Sequence, residues 1–198
     1  MEKRKWSFKH EVGRKIIHLM MLLVLIAYFF INIFYGRQSA MLFLAALLMA
    51  FLILEYLRLE LNWNVPFFSK FIRPKEQNRV YGVIFFISAT IISLAAFDFK
   101  IAIAALLMTT FGDMAAAIIG KRYGRTSIFR SKTFAGSMAE LIVNLMVGFL
   151  VLFRTNILVI IAMAVTATAA EILTDELDDN LVVPVFSGFV GQILLIVI

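Results

Sequence analysis

The sequence predicts an all-α protein of about seven membrane-spanning helices, and three observations lead to that fold class. Hydrophobic residues occupy 62% of the 198 positions, whereas about half is usual in soluble domains. They are gathered in long blocks, and roughly 20 consecutive apolar residues let a helix cross a bilayer. The polar stretches between the blocks are too short to fold separately, so residues 1–198 are interpreted as one transmembrane domain.

Seven apolar blocks follow one another along the chain. Their length and spacing place them at 16–35, 39–57, 80–97, 101–119, 137–153, 157–174 and 182–198. Tight connections near 32–38, 97–100 and 154–156 alternate with longer ones at 58–79, 120–136 and 175–181. The alternation predicts that the tight connections lie on one side of the bilayer and the longer ones on the other.

The basic residues orient this arrangement. Sixteen of the 19 lysines and arginines lie in the N-terminal segment, in 58–79 and in 120–136, and three lie in the tight connections. The positive-inside rule therefore predicts a cytoplasmic N-terminus and a C-terminus outside. Topology thus explains the net charge of +6, and we expect no nucleic-acid partner. The absence of cysteine excludes disulfides, zinc–thiolate sites and thiol nucleophiles.

The segment 58–79 mixes aromatic and basic residues. Its apolar members are Trp63, Phe67, Phe68, Phe71 and Ile72, interleaved with Lys70, Arg73 and Lys75. This composition predicts a short helix lying in the membrane interface. An aromatic belt with basic anchors and a role in admitting a lipid substrate both fit this pattern.

An acidic residue inside the fourth block is the first candidate for chemistry. Asp113, in Phe111-Gly112-Asp113, lies about six residues from the end of its block. An ionisable residue at such a depth is costly and marks a functional site by default. The alternative is a structural ion pair with a loop arginine, and we favour function.

The loop 120–136 combines glycines, cations and hydroxyls at the start of a helix. Its candidate phosphate-binding residues are Gly120, Lys121, Gly124, Arg125, Lys132, Thr133, Gly136 and Ser137. Glycine admits a ligand close to the backbone, a helix start offers free N–H groups, and the cations supply charge for phosphate. An ordinary positive-inside loop fits the composition equally well. Ser137 and Glu140 match a capping box, which gives Glu140 a structural role.

An acidic cluster follows the sixth block. Glu171, Asp175, Glu176, Asp178 and Asp179 supply five carboxylates within nine positions. Mg²⁺ is usually bound by one or two carboxylates together with substrate phosphates, so the cluster suits a magnesium site. The alternative is a solvated acidic loop that balances nearby cations. With the basic loop and Asp113 on the same membrane face, the cluster suits a nucleotide–Mg²⁺ complex meeting a lipid.

The mouth of the first block carries a polar stripe. Glu11, Arg14, Lys15 and His18 follow one another at helical spacing and share a face. Snorkelling accounts for Arg14 and Lys15, but it does not account for Glu11 and His18 on the same face.

These residues resemble the motifs of the CTP-dependent lipid kinase family, which includes dolichol kinases, phytol kinases and CTP-dependent diacylglycerol kinases. The matching motifs, in chain order, are Glu11-x-x-Arg14-Lys15-x-x-His18; Glu55-x-x-Arg58 with Arg73-Pro-x-Glu76 and Gly82; Gly112-Asp113 with Ala116, Gly120, Gly124 and Lys132-Thr133-x-x-Gly136-Ser137; and Glu171 with Asp179-Asn180-x-x-x-Pro184. The resemblance runs nearly from end to end. One departure is Phe134-Ala135, where the family often has an acidic residue before the glycine.

The central stretch is also similar to phosphatidate cytidylyltransferases, which use CTP differently. The lysine-aspartate and glycine-rich ending of those enzymes is missing, and Asp179-Asn180-x-x-x-Pro184 favours the kinase branch. A cytidylyltransferase that forms a CDP-lipid is therefore the first alternative. A small transporter or channel with an anion vestibule is the second, and the few charges in the tight connections disfavour it.

The resemblance implies transfer of the CTP γ-phosphate to a membrane lipid alcohol, giving lipid phosphate and CDP, with Mg²⁺ as cofactor. The acceptor is a polyprenol or dolichol, another isoprenoid alcohol, or diacylglycerol. The implied catalytic residues are Asp113, Asp179, Arg14, Lys15 and His18. The implied nucleotide-binding residues are Gly112, Gly120, Lys121, Gly124, Arg125, Lys132, Thr133, Gly136, Ser137 and Asn180, and the implied metal ligands are Asp113, Glu171 and Asp179.

The same interpretation predicts a multi-pass membrane location with the active-site loops 120–136 and 175–181 facing the cytoplasm. We expect the plasma membrane of a prokaryote, or an ER-type membrane in a eukaryote. The sequence leaves open the lipid acceptor, the oligomeric state and the carboxylate that orients the attacking hydroxyl.

Overall fold

A computed structural model describes residues 8–61, 80–129, 132–174 and 177–198, with side chains from Leu22 onward. Within these residues the chain forms six helices and one two-stranded hairpin. The helices are α1 (Phe8–Glu60), α2 (Gly82–Ala96), α3 (Phe99–Tyr123), α4 (Phe134–Val151), α5 (Ile157–Leu173) and α6 (Asp179–Val197). The strands are β1 (Ser127–Phe129) and β2 (Lys132–Thr133), which pair antiparallel between α3 and α4.

The predicted helical membrane fold is confirmed in its class. Among the described residues, α1, α3, α4 and α6 are long and apolar enough to cross a membrane. The helices α2 and α5 are apolar but shorter. The count of about seven spans is therefore not confirmed, and the orientation of the termini stays a prediction.

The first two predicted blocks lie in α1, which contains a break at Gly36. Gly36 has φ 82° and ψ 167°, outside the helical region. A positive φ is favourable for glycine and strained for other residues, so glycine is suited to this position. The break falls inside the predicted connection 32–38 and separates two apolar helical stretches.

Side-chain caps keep two of the connections short. Asp98 accepts a hydrogen bond from the Lys100 N–H (3.0 Å) at the start of α3. Asn156 does the same for the Leu158 N–H (3.0 Å) at the start of α5. Short acceptors of this kind satisfy amide groups that the first helical turn leaves unpaired. The connection 154–156 therefore ends where the sequence predicts, whereas the connection 97–100 ends two residues earlier than predicted, because α3 already begins at Phe99.

The start of α4 corrects one prediction. The helix begins at Phe134, and Thr133 caps it by accepting a hydrogen bond from the Gly136 N–H (3.3 Å). Ser137 lies inside the helix, so the predicted capping box of Ser137 and Glu140 is wrong. A threonine just before an apolar helix offers the same hydroxyl acceptor as serine, which is why Thr133 takes this role.

The predicted long loops differ from the observed elements. Residues 120–123 belong to α3 and residues 134–136 to α4, and the hairpin occupies much of the remainder of 120–136. In the predicted loop 175–181, α6 already begins at Asp179. The interfacial helix expected within 58–79 falls mostly on residues 62–79, which lie outside the described part of the chain.

The chain divides into two compact units, Met1–Ile91 and Ile92–Ile198. In the second unit α3 packs against α4 and α6, and α5 packs against the same two helices, which makes a four-helix bundle. Its core contains Ile101, Met108, Ile160 and Met163, each at most 2% exposed. Far from the hairpin, the Asp98 N–H donates to Gln192 Oε1 (2.6 Å).

In the first unit a polar cluster joins the end of α1 to the residue before α2. Arg58 binds Glu55 through two hydrogen bonds, Nε to Oε2 (2.9 Å) and Nη2 to Oε1 (2.6 Å). The Tyr81 N–H also donates to Glu55 Oε1 (3.0 Å), and the guanidinium lies 4.1 Å from the centre of the Tyr81 ring. Glu55 and Arg58, two members of the second sequence motif, thus connect the end of α1 with Tyr81, the residue just before α2.

Candidate active site at one end of the helical bundle

Three carboxylates from three helices meet at one end of the second unit. Asp113 comes from α3, Glu171 from the last turn of α5 and Asp179 from the first residue of α6. One oxygen of each lies within 4.8 Å of the others. We call Asp113, Glu171 and Asp179 the carboxylate triad.

The start of α6 shows how the sequence positions Asp179. Asp178 caps the helix by accepting from the Asn180 N–H (3.0 Å), so the cap does not require Asp179. The buried Asn180 side chain donates to Asp178 Oδ1 (2.7 Å) and Asp179 Oδ1 (3.2 Å). A carboxylate in the first turn is also favoured by the positive end of the helix dipole. The two adjacent aspartates therefore have different roles, which their sequence alone does not distinguish.

Lys132, in β2, forms an ion pair with Glu171 Oε1. Burial lowers the pKa of the Lys132 ammonium, but the charges of Glu171, Asp179 and Asp113 raise that pKa by more, so the net shift is upward. The ammonium therefore stays charged at neutral pH. The hairpin thus places one fixed positive charge beside the triad.

The donor set of the triad fits a hard divalent cation. Carboxylate oxygens are the ligands that Mg²⁺ and Ca²⁺ prefer, and the carboxylates outnumber the single ammonium among these four side chains. Ligands on opposite sides of Mg²⁺ lie about 4 Å apart, so atoms within 4.8 Å need only a small adjustment. Asp113, Glu171 and Asp179 are the residues that would hold such an ion.

Two glycines of the predicted phosphate loop let α3 and α4 approach each other. A Cβ on Gly136 would lie 2.9 Å from the Ala116 carbonyl oxygen and 3.2 Å from Gly120 Cα. A Cβ on Gly120 would lie 2.9 Å from Thr133 Oγ1. The two distances of 2.9 Å are shorter than real Cβ atoms show, so glycine permits this close approach. Their predicted role in binding phosphate remains a prediction.

The other predicted nucleotide-binding residues are spread around this end of the second unit. Lys121 and Arg125 are exposed at the end of α3 and just after it, Gly124 follows α3, and Ser137 is buried in α4. Lys121, Gly124 and Arg125 thus lie next to the hairpin that carries Lys132. Arg14, Lys15 and His18 lie in α1, and their side chains are outside the described part of the chain.

One polar group next to the triad was missed from the sequence. Asn144 of α4 is fully buried and donates from Nδ2 to Thr168 Oγ1 of α5 (3.1 Å). Glu140, one turn earlier, is 2% exposed. The available signal was a pair of polar residues four positions apart, which share one face of an otherwise apolar helix.

The fold and this site define a helical integral membrane protein with a candidate cation site at one end of a helical bundle. The chain is 32% identical over 147 residues to CTP-dependent diacylglycerol kinase 1 of Saccharomyces cerevisiae, a match that covers 69% of this chain and 48% of the relative. It is 27% identical over 209 residues to the protein of the same name from Schizosaccharomyces pombe, with 93% of each chain covered. An uncharacterized protein of Rickettsia prowazekii is 28% identical over 191 residues, covering 90% of this chain and 91% of the relative.

Three relatives, the Saccharomyces and Schizosaccharomyces proteins above and a third from Eremothecium gossypii that is 28% identical over 146 residues, are named CTP-dependent diacylglycerol kinase 1. Their similarity at 27–32% identity supports the CTP-dependent lipid kinase family. The chain spans about half the length of the Saccharomyces relative and nearly all of the Schizosaccharomyces relative. No family model matches the sequence, and no solved structure matches it.

Proposed function

We propose that the protein transfers the γ-phosphoryl group of CTP to the hydroxyl of a membrane lipid alcohol. The observation that carries this proposal is the meeting of Lys132 with the carboxylate triad at one end of an apolar bundle. Phosphoryl transfer needs accurate positioning and neutralisation of phosphate charge rather than covalent help from the protein. A lysine beside a carboxylate-bound cation provides both.

Each group has a distinct role in this proposal. Asp113, Glu171 and Asp179 hold Mg²⁺, which supplies positive charge to the phosphates of CTP when it is bound. Lys132 neutralises charge on the transferred phosphoryl group, and its ion pair with Glu171 holds it in position. Lys121 and Arg125 bind the outer part of the nucleotide, with Gly120, Gly124, Thr133, Gly136, Ser137 and Asn180 shaping the site.

The distance between Asp113 and the end of α3 suits a reaction with a lipid acceptor. Asp113 lies ten residues before the end of α3, which is about 15 Å along a helix. A hydroxyl anchored by its acyl or isoprenoid tail approaches such a position from the bilayer, and CTP approaches from the solvent end. Because three relatives are named as diacylglycerol kinases, diacylglycerol is the first acceptor to test, with polyprenol next.

The reaction balances without a further reactant. The acceptor oxygen forms a bond to the γ-phosphorus, and the bond from that phosphorus to the β–γ bridging oxygen breaks. CDP leaves with that oxygen, and the hydroxyl proton passes to a carboxylate of the site or to water. Because an aliphatic alcohol is a weak acid, orientation and charge stabilisation contribute more than the strength of the base.

The test uses purified protein in detergent with Mg²⁺, an acceptor lipid and CTP labelled at either the α- or the γ-phosphate. We expect label in the lipid only from γ-labelled CTP, with CDP as product. Label in the lipid from α-labelled CTP, with pyrophosphate released, would instead establish a cytidylyltransferase. A parallel reaction with ATP tests the choice of nucleotide.

Asp113→Asn tests the site itself. The amide keeps the shape of Asp113 but removes one of the three carboxyl groups of the triad, so phosphate transfer should fall at least a hundredfold. The variant should insert into membranes and purify as the wild type does, which is checked by gel filtration and circular dichroism. Full activity of this variant would exclude Asp113 from the mechanism.

A further inference from the structure

Glu140 and Asn144 form a buried polar pair on α4 that the proposed chemistry leaves unused. Glu140 is 2% exposed and Asn144 is fully buried. Neither Glu140 Oε2 nor Asn144 Oδ1 receives a hydrogen bond from any residue that the structure describes. Burying such oxygens lowers stability, whereas apolar side chains of the same shape would be nearly neutral or stabilising. A gain in stability is therefore not the reason for a polar pair at this position.

The pair makes contact with two neighbouring helices. On α3, a Cβ at Gly112 would lie 2.5 Å from Asn144 Oδ1 and 3.1 Å from Glu140 Cγ. Both side chains therefore pack against the backbone of Gly112, where there is no room for a side chain. On α5, Asn144 Nδ2 donates to Thr168 Oγ1 (3.1 Å). This side-chain pair therefore contacts both α3 and α5 at one level of α4.

That level lies directly beside the carboxylate triad. Gly112 precedes Asp113 in α3, and Thr168 stands three residues, slightly less than one turn, before Glu171 in α5. Each of the two contacts is therefore made to a helix that carries a triad carboxylate. Outer-shell groups that hydrogen-bond metal ligands commonly change metal affinity by about 10- to 100-fold when they are removed, and we expect the lower end of that range for groups that act through the position of a helix.

We propose that Asn144, with Glu140, is a positioning residue that sets the separation of Asp113 and Glu171 for a divalent cation. The bond from Asn144 to Thr168 fixes α5, and the contact with Gly112 fixes α3. Apolar side chains would fill the same space but would not hold α5 in one register. This inference rests on the proposed cation site, and it assigns the pair a role in cation affinity.

The test measures cation binding directly, with Mn²⁺ as a paramagnetic probe in place of Mg²⁺. Thr168→Val keeps the shape of the side chain but removes the acceptor of the Asn144 bond, and Thr168→Ser keeps a hydroxyl there. Titration of the purified proteins, with free Mn²⁺ followed by electron paramagnetic resonance, should give a Kd raised about tenfold for Thr168→Val. Thr168→Ser should stay within about twofold of the wild type because it retains the bond.

A matched control separates positioning from general stability. Thr90 is also a buried threonine, and its hydroxyl donates only within its own helix, to the Phe86 carbonyl (2.8 Å). Thr90→Val therefore removes a buried hydroxyl without touching a contact between α4 and α5. Its Mn²⁺ Kd should equal that of the wild type. In turnover assays, the activity lost in Thr168→Val should return as Mg²⁺ is raised, because weakened binding is overcome by mass action.

Each outcome decides something different. A wild type that binds no Mn²⁺ would overturn the cation site and the positioning role together. Normal Mn²⁺ binding by Thr168→Val would overturn the positioning role and leave the proposed function standing. Equal weakening in Thr168→Val and Thr90→Val would show a general loss of stability and would also overturn the positioning role.

Discussion

At the scale of single residues, the contact that matters most joins Lys132 to Glu171. Glu171 is 3% exposed in the last turn of an apolar helix, where an unpaired carboxylate is costly. The hairpin between α3 and α4 brings the ammonium to it. Lys132, whose loop has the composition of an ordinary basic connection, therefore supplies the positive charge that balances the buried Glu171 carboxylate.

Lys132→Met tests this contact. Methionine keeps much of the length of the chain but leaves the Glu171 carboxylate without the ammonium, so we expect a loss of about 3 kcal/mol in stability. Phosphate transfer should fall at least a hundredfold, because charge on the transferred group is no longer neutralised. Thermal unfolding followed by circular dichroism and the γ-labelled CTP assay measure the two effects.

Lys132→Arg is the matched variant, since it retains the charge and should keep most of the stability. A Lys132→Met protein with wild-type activity would remove Lys132 from the proposed mechanism. If both variants lose the same stability, the size of the side chain rather than its charge would be the cause.

At the scale of elements, helix ends determine where functional groups meet. Asp98, Asn156 and Asp178 each cap a helix of the bundle and accept an amide N–H at 3.0 Å. These N-caps fix the residue at which each helix begins, so the connection that precedes each helix can stay short. The cap at Asp178 also places Asp179 in the first turn of α6, where it meets Asp113 and Glu171.

The cap of α4 gives a prediction at this scale. Thr133→Val removes the hydroxyl that accepts the Gly136 N–H and should cost about 1 kcal/mol, or about 3 °C in Tm. Thr133→Ser should be close to the wild type. Ser137→Ala should cost less than Thr133→Val, because Ser137 lies inside the helix. Unfolding followed by circular dichroism compares the three, and a larger loss from Ser137→Ala would contradict the assignment of the cap.

At the scale of the whole molecule, the distribution of charge predicts which face meets the cytoplasm. Sixteen of 19 basic residues fall in the N-terminal and long connecting segments, and the positive-inside rule assigns these to the cytoplasm. The proposed active site would then receive CTP from the cytoplasm. The predicted orientation is therefore directly linked to the proposed function.

Cysteine labelling tests that orientation, since the chain contains no cysteine. Thr126→Cys, next to the hairpin, should react with a membrane-impermeant maleimide only in inside-out vesicles. Arg154→Cys, in a tight connection, should react only in right-side-out vesicles. Both positions belong to the second unit, so the test does not depend on the number of spans in α1. Labelling of Thr126→Cys from outside would reverse the predicted orientation.

Much of the fold follows from local sequence, and less of the site does. Apolar length predicts most of the helices, and the tight connections near 32–38, 97–100 and 154–156 predict where they end, because these signals act within a few residues. The sequence also singles out Asp113, Glu171 and Asp179 as unusual acids in or beside apolar blocks. The sequence predicts a cap formed by Ser137 and Glu140, whereas the observed cap of α4 is Thr133. The prediction fails because the four-residue pattern of a capping box can also occur inside a helix.

The sequence by itself determined that this protein has apolar helices suited to a membrane, carries acids and cations at the ends of those helices, and resembles CTP-dependent lipid kinases. Only the tertiary structure decided that Asp113, Glu171 and Asp179 meet, that Lys132 pairs with Glu171, and that Asn144 bonds Thr168. The physical reason is distance along the chain. Helix formation depends on neighbouring residues, whereas the partners of a buried side chain depend on how separate helices pack.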